Sequence, residues 1–139
     1  MRTIKFRAWI ENSQKMFYQG DQYLQSFLRR ANQLHNPKHT GHDSYGVPLL
    51  LEFTGLLDKN EKEIYEGDIV ATRVLKHSEK DLRLTQKIAY DSTLGAFVLM
   101  TGIDSVEKDF ETTYNYCPIP WAHEIEIIGN IYENPDVLN

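Results

Sequence analysis

The sequence predicts a small, mainly-β antiparallel domain with one helix. Three observations carry this: short apolar runs with a period of two recur along most of the chain, turn-forming residues separate them, and one segment alone shows helical spacing. At 139 residues the chain can bury a core without disulfides or a structural metal, so one compact unit is expected.

From Thr3 to Ile10, the residues Ile4, Phe6, Ala8 and Ile10 alternate with Thr3, Lys5, Arg7 and Trp9, which is the rhythm of a half-buried strand. Glu11-Asn12-Ser13-Gln14 reads as a turn and Lys15 to Gln19 as the return strand of an N-terminal hairpin, stopped by Gly20. Leu24, Phe27, Leu28, Ala31 and Leu34 then recur at helical spacing, predicting a helix from Asp21, its N-cap, to Leu34. His35 to Val47 is rich in breakers and lacks an apolar period, as a loop does.

Strand patterns dominate from Leu49. Leu49 to Thr54 fits a largely buried strand, after which Gly55 bends the chain. Asp58-Lys59-Asn60-Glu61 is a reverse turn, Glu63-Ile64-Tyr65 a short strand, and Tyr65-Glu66-Gly67-Asp68 a second turn in which Gly67 supplies a positive φ. Ile69 to Val74 resumes the sheet, and a charged connector occupies Lys76 to Arg83. Lys87 to Asp91 and Ala96 to Met100 flank Ser92-Thr93-Leu94-Gly95 as a hairpin. Residues 101 to 123 are polar, aromatic and proline-bearing and read as irregular. The last strand, Glu124 to Tyr132, loses its alternation at Ile128-Gly129, as a bulge would cause, and Pro135 ends it. Residues 49–139 are thus expected to close into a small SH3-like antiparallel barrel, because closure removes exposed edges. Residues 1–48 add the hairpin, the helix and the loop.

No apolar run approaches the roughly 20 residues that a membrane-crossing helix needs, and Met1 to Phe6 has no signal-peptide core. With a single cysteine, Cys117, no intrachain disulfide can form, and a cytoplasmic location without membrane partners is expected. Net charge is −5, unevenly spread. Residues 1–40 carry seven Lys/Arg against two acidic residues, while the remainder carries eight against eighteen. A basic segment on an acidic body can meet nucleic acid locally, dock on an acidic face of its own chain or of a neighbour, or simply be solvated.

His35, His39 and His42 beside Asp43 offer imidazoles, but Pro37 disrupts a shared helix and no cysteine pair accompanies them, so exposed loop histidines are the simpler reading. Cys117 with His123 lacks a third orienting group, which favours a packed thiol over a nucleophile. Glu61, Glu63, Glu66 and Asp68 cluster at two turns, where turn chemistry explains them better than a Mg²⁺-dependent nuclease. No phosphate-binding glycine loop, nucleophile elbow or zinc-finger spacing occurs, so neither a catalytic residue nor a cofactor is expected. Trp9, Tyr18, Tyr23, Tyr45, Tyr114, Tyr116 and Trp121 exceed what a small core needs. Trp9 and Trp121 with Arg2, Arg7, Arg29 and Arg30 form the candidate binding surface, against the alternative of core and rim packing.

Three stretches together resemble the YopX family of phage and prophage proteins. They are Ile4-Lys5-Phe6-Arg7-Ala8-Trp9, the eighteen-residue block from Phe53 to Val70, and Ile127-Ile128-Gly129-Asn130-Ile131-Tyr132-Glu133-Asn134-Pro135. The resemblance implies an SH3-like β fold and a phage origin, and supplies neither an activity nor catalytic residues. Members commonly have glycine where this chain has Glu61, in a turn that calls for positive φ; residues 20 to 48 match no family motif. The expected role is a non-enzymatic phage accessory module that binds a host or phage protein or forms a homo-oligomer, with nucleic-acid binding by the basic N-terminal segment as the alternative and a metal-dependent nuclease as the third.

Overall fold

A computed structural model describes residues 3–31, 48–74, 82–101, 116–119 and 123–138. Its strands are β1 (Phe6–Ile10), β2 (Lys15–Phe17), β3 (Leu49–Leu57), β4 (Glu63–Tyr65), β5 (Asp68–Val74), β6 (Leu82–Asp91), β7 (Ala96–Thr101), β8 (Tyr116–Pro118) and β9 (His123–Asn130), with one helix, α1 (Gln22–Ala31). They form two antiparallel sheets of order β2-β1-β3-β4 and β8-β7-β6-β5-β9. The chain is mainly β, an SH3-like antiparallel fold with an N-terminal hairpin and one short helix, as the sequence predicts.

The first sheet threads the N-terminal strand into its middle: Ala8 lies opposite Phe17 of β2 and Leu50 of β3. Arg7 lies opposite Leu51, and Trp9 opposite Leu49. Arg7 and Trp9 on one row and Ala8 and Ile10 on the other are all buried, so the half-buried strand expected from the pattern of β1 is covered on both faces. Helix α1 contributes the buried Leu24 and stacks Tyr23 on Phe17, ring centroids 4.8 Å apart. Asp21 starts the helix through its carbonyl, which accepts the Gln25 amide, but its carboxylate turns back to accept the Tyr18 amide at 2.7 Å.

The second sheet encloses a core of Ile64, Val70, Ile88, Leu99 and Ile119, with Phe97, Ile125 and Ile127 packed against it. Gly55 does not end β3: it takes φ +87° and the strand runs on to Leu57 with an irregular register. β6 begins at Leu82, inside the stretch expected to be a connector, because it pairs with β5 as far as Val74. Within the stretch expected to be irregular, Tyr116–Pro118 forms β8 and pairs with β7. In β9 the register shifts between Gly129, opposite Ile69, and Ile127, opposite Val70, which is the bulge expected at Ile128.

Candidate functional site

The three sequence stretches singled out above, distant along the chain, converge at the seam between the two sheets. Its centre is the ion pair Arg7–Asp68, Nη2 to Oδ1 at 2.7 Å, with both side chains buried. The second carboxylate oxygen of Asp68 accepts the Tyr65 amide at 2.8 Å, and Arg7 donates to the Glu66 carbonyl at 3.2 Å. The guanidinium also lies over the Tyr65 ring, 4.9 Å from its centroid, while its Nε has no hydrogen-bond partner. Burial pushes the Asp68 carboxyl up, against the pull of Arg7 and the Tyr65 amide. This is the expected balance when two charges leave water together.

The turn between β4 and β5 makes the backbone connections. The Glu66 amide donates to Glu52 in the first sheet, the Gly67 amide to Ile88 in the second, and the Gly67 carbonyl accepts the Ile131 amide. Gly67 has φ +82°, and a Cβ there would meet the Tyr132 ring at 2.8 Å, so both the conformation and the space call for glycine. Tyr132 in turn packs on Trp9, centroids 5.6 Å apart. Asn130 anchors the following turn by accepting the Tyr132 and Glu133 amides.

Around this centre the ionisable groups are tied to one another. Lys5 pairs with Glu63, whose other oxygen accepts the Tyr65 hydroxyl at 2.7 Å. These two bonds hold the Glu63 carboxyl below its usual range. Burial, then Glu63, push the Tyr65 phenol well up. Burial and the neighbouring Glu52 raise Glu66.

A second connection closes the other side. The turn after β3 lies along the outer edge of β9: the Lys59 amide donates to the Ile125 carbonyl at 2.8 Å, and Asp58 Oδ2 accepts the Ile127 amide at 3.1 Å. Asp58 Oδ1 accepts the Asn60 and Lys62 amides within the turn. Burial acts to raise the Asp58 carboxyl, but these amides and Lys62 bring it below the usual value. Glu61, where the family commonly has glycine, sits at φ +63°.

Of the candidate binding residues, the structure describes the side chains of Arg7, Trp9 and Arg29. Arg7 and Trp9 are 4% and 3% exposed, so neither presents a contact surface; the Trp9 indole donates to Glu11 at 2.8 Å. The physical reason is that the face carrying them is packed over, Arg7 against Asp68 and the Tyr65 ring and Trp9 against Tyr132. Arg29 is exposed on α1, while Arg2, Trp121 and the side chain of Arg30 lie outside the described residues. His35, His39, His42, Tyr45 and Tyr114, and the side chains of Tyr116, Cys117 and His123, also lie outside them. Tyr18 is exposed, with Tyr65 edge-on at 6.5 Å. Among the described residues no three His, Cys, Asp or Glu are grouped to hold a metal ion, and Glu63 and Asp68 are engaged by Lys5 and Arg7. No helix among them is long and apolar enough to cross a membrane.

These features define a class: a small two-sheet β domain whose N-terminal strand is locked to the rest by a buried polar seam. The YopX protein family model matches residues 5–139, and the chain belongs to that family. The crystal structure of protein EF1440 from Enterococcus faecalis is similar in fold, with a TM-score of 0.52 at 21% identity over 100% of both chains. No curated protein matches the sequence.

Proposed function

We propose that this chain is a non-enzymatic phage accessory protein that works in the bacterial cytoplasm by binding a host or phage protein, or a second copy of itself. The observation that carries the reading is the pair of apolar ends on β3, whose middle is core. Leu49 and Leu50 are 48% and 39% exposed, and Leu56 and Leu57 are 37% and 54% exposed, while Leu51 and Phe53 between them are buried. Adjacent leucines point to opposite faces of a strand, so each end offers an apolar contact on either side. Contacts of this kind are what a protein interface desolvates.

Engagement of the acidic groups at the seam supports a binding role over a catalytic one: Glu63, Asp68 and Asp58 each hold structure, and none of the three is poised for acid–base work. The N-terminal basic segment is a weaker anchor for nucleic acid than its composition suggests, since Lys5 and Arg7 are neutralised by Glu63 and Asp68.

Light scattering on the purified chain and affinity capture from lysogenic cells test the proposal. We expect either a mass above the 16.2 kDa monomer or a retained partner, each lost in Leu57→Glu and Leu50→Glu. A strictly monomeric chain that retains nothing above background refutes it.

A further inference from the structure

Strand β3 is paired along one side by β1 and along the other by β4, and the second pairing stops short. The Phe53 amide donates to the Lys5 carbonyl at 2.9 Å, so Phe53, and with it Leu51 and Leu49 at alternate positions, turns its backbone groups toward β1. Leu50 and Glu52 must turn theirs away, and the Glu52 carbonyl does so, accepting the Glu66 amide at 2.9 Å. There the neighbouring chain departs, because the next amide, Gly67, donates to Ile88 in the second sheet. The place beside Leu50 that β4 would fill by running straight on is therefore open. Among the described residues nothing bonds the Leu50 amide or carbonyl.

The side chains around this gap are apolar and acidic. Leu49 and Leu50, on opposite faces of the strand, are both exposed, whereas Pro48 and Leu51 on either side of them are buried. Glu52 shares the face of Leu50, and Glu66, across from Glu52, stands at the end of the gap. Burial and then the Glu52 charge raise the Glu66 carboxyl, its bond with the Glu52 backbone works the other way, and among the described residues no cation offsets the rise. Arg7 and Lys5, in the segment on the other side of β3, are held by Asp68 and Glu63.

An unmet amide and carbonyl at a sheet edge template a further strand. An extended segment laid there antiparallel to β3, in line with β4, puts one residue directly across from Leu50, on the face that carries Glu52. A lysine or arginine at that residue reaches Glu52 on the diagonal and Glu66 at the end of the gap. The residues before and after it turn to the opposite face, beside Leu49, where apolar side chains fit.

We propose that the Leu50 edge of β3 receives an extended segment of a partner protein, added as a strand and carrying a basic residue flanked by apolar ones. The inference rests on the protein-binding reading above and gives the partner its chemistry. Acidic side chains repel a phosphate backbone from this edge. A twofold pairing of two copies at Leu50 sets a second acidic pair in the same interface, which like charges oppose.

Selection of random displayed peptides of about 12 residues against the full chain tests it. The enriched sequences should carry lysine or arginine between β-branched or other apolar residues. Synthetic versions of the selected peptide, N-methylated at one position at a time, should lose binding at every second position, as strand pairing requires. In fluorescence anisotropy with the labelled peptide, Leu50→Pro, which removes the outward amide and leaves the bonds to β1, should weaken binding about tenfold, and Glu66→Lys at least as much. The proposal fails if nothing or only acidic sequences are enriched, if methylation has no alternating effect, or if Glu66→Lys binds the peptide as the parent does. A chain that pairs with itself, and that Leu50→Pro returns to a monomer, overturns it in favour of a second copy. Partner capture that Leu57→Glu abolishes while Leu50→Pro and Glu66→Lys leave it intact sinks this edge but not the protein-binding role.

Discussion

Replacing Asp68 by Asn probes the seam at its centre. Asparagine keeps an oxygen for the Tyr65 amide but removes the charge 2.7 Å from Arg7, leaving a buried guanidinium without its counter-ion. Breaking such a pair from one side costs about 3–5 kcal/mol. Arg7 keeps the Glu66 carbonyl at 3.2 Å and the Tyr65 ring at 4.9 Å, which places the loss at the lower end, about 3 kcal/mol. Against a total stability of about 5–15 kcal/mol this lowers Tm by roughly 12 °C. The double variant Arg7→Met/Asp68→Asn removes both charges and the partnerless Nε, and should return to within about 1 kcal/mol of the parent, because the desolvation of both ions is no longer paid. Urea unfolding followed by circular dichroism measures all four corners of the cycle. A loss below about 1 kcal/mol for Asp68→Asn, or a double variant less stable than the single, refutes the argument.

Two further predictions concern the turn after β3. Glu61→Gly should stabilise the chain by about 0.5–1 kcal/mol in the same unfolding assay, since a non-glycine residue at φ +63° is strained by roughly 1–2 kcal/mol and glycine's extra unfolded-state entropy returns only part of that. Asp58 has a folded-state pKa below its unfolded value, so its contribution is full above about pH 4 and is lost as the pH falls through the folded value. Unfolding midpoints between about pH 5 and 2 should therefore drop more steeply for the parent than for Asp58→Asn, and parallel curves count against the role given to its amide contacts.

The period-two rows and turn residues made most of the fold legible. The hairpin of β1 and β2, the helix, both turns around β4, the β6–β7 hairpin and the bulge at Ile128 all follow from local pattern, because each depends on neighbours a few residues away. Arg7 shows where that stops. Its place among Thr3, Lys5 and Trp9 reads as the solvent face of a strand, and only the packing of Asp68, Tyr65 and Tyr132 on Arg7 and Trp9 turns that face inward. The partner that makes burial tolerable, Asp68, looks locally like an ordinary turn residue. Asp58 was legible as a turn former, but its bond to Ile127 was not, since no short-range signal links positions 69 apart. The outward amide of Leu50 needed strand register, which no apolar period supplies.

The seam also dictates when the chain can finish folding. Arg7 emerges from the ribosome long before β3 and Asp68, which secure the first strand, and the Asp58 turn waits longer still, for Ile127. A topology dominated by such distant partners folds slowly and gains little from synthesis proceeding in order. Nascent chains stalled before β9 should accordingly be the protease-sensitive, chaperone-dependent form of this protein.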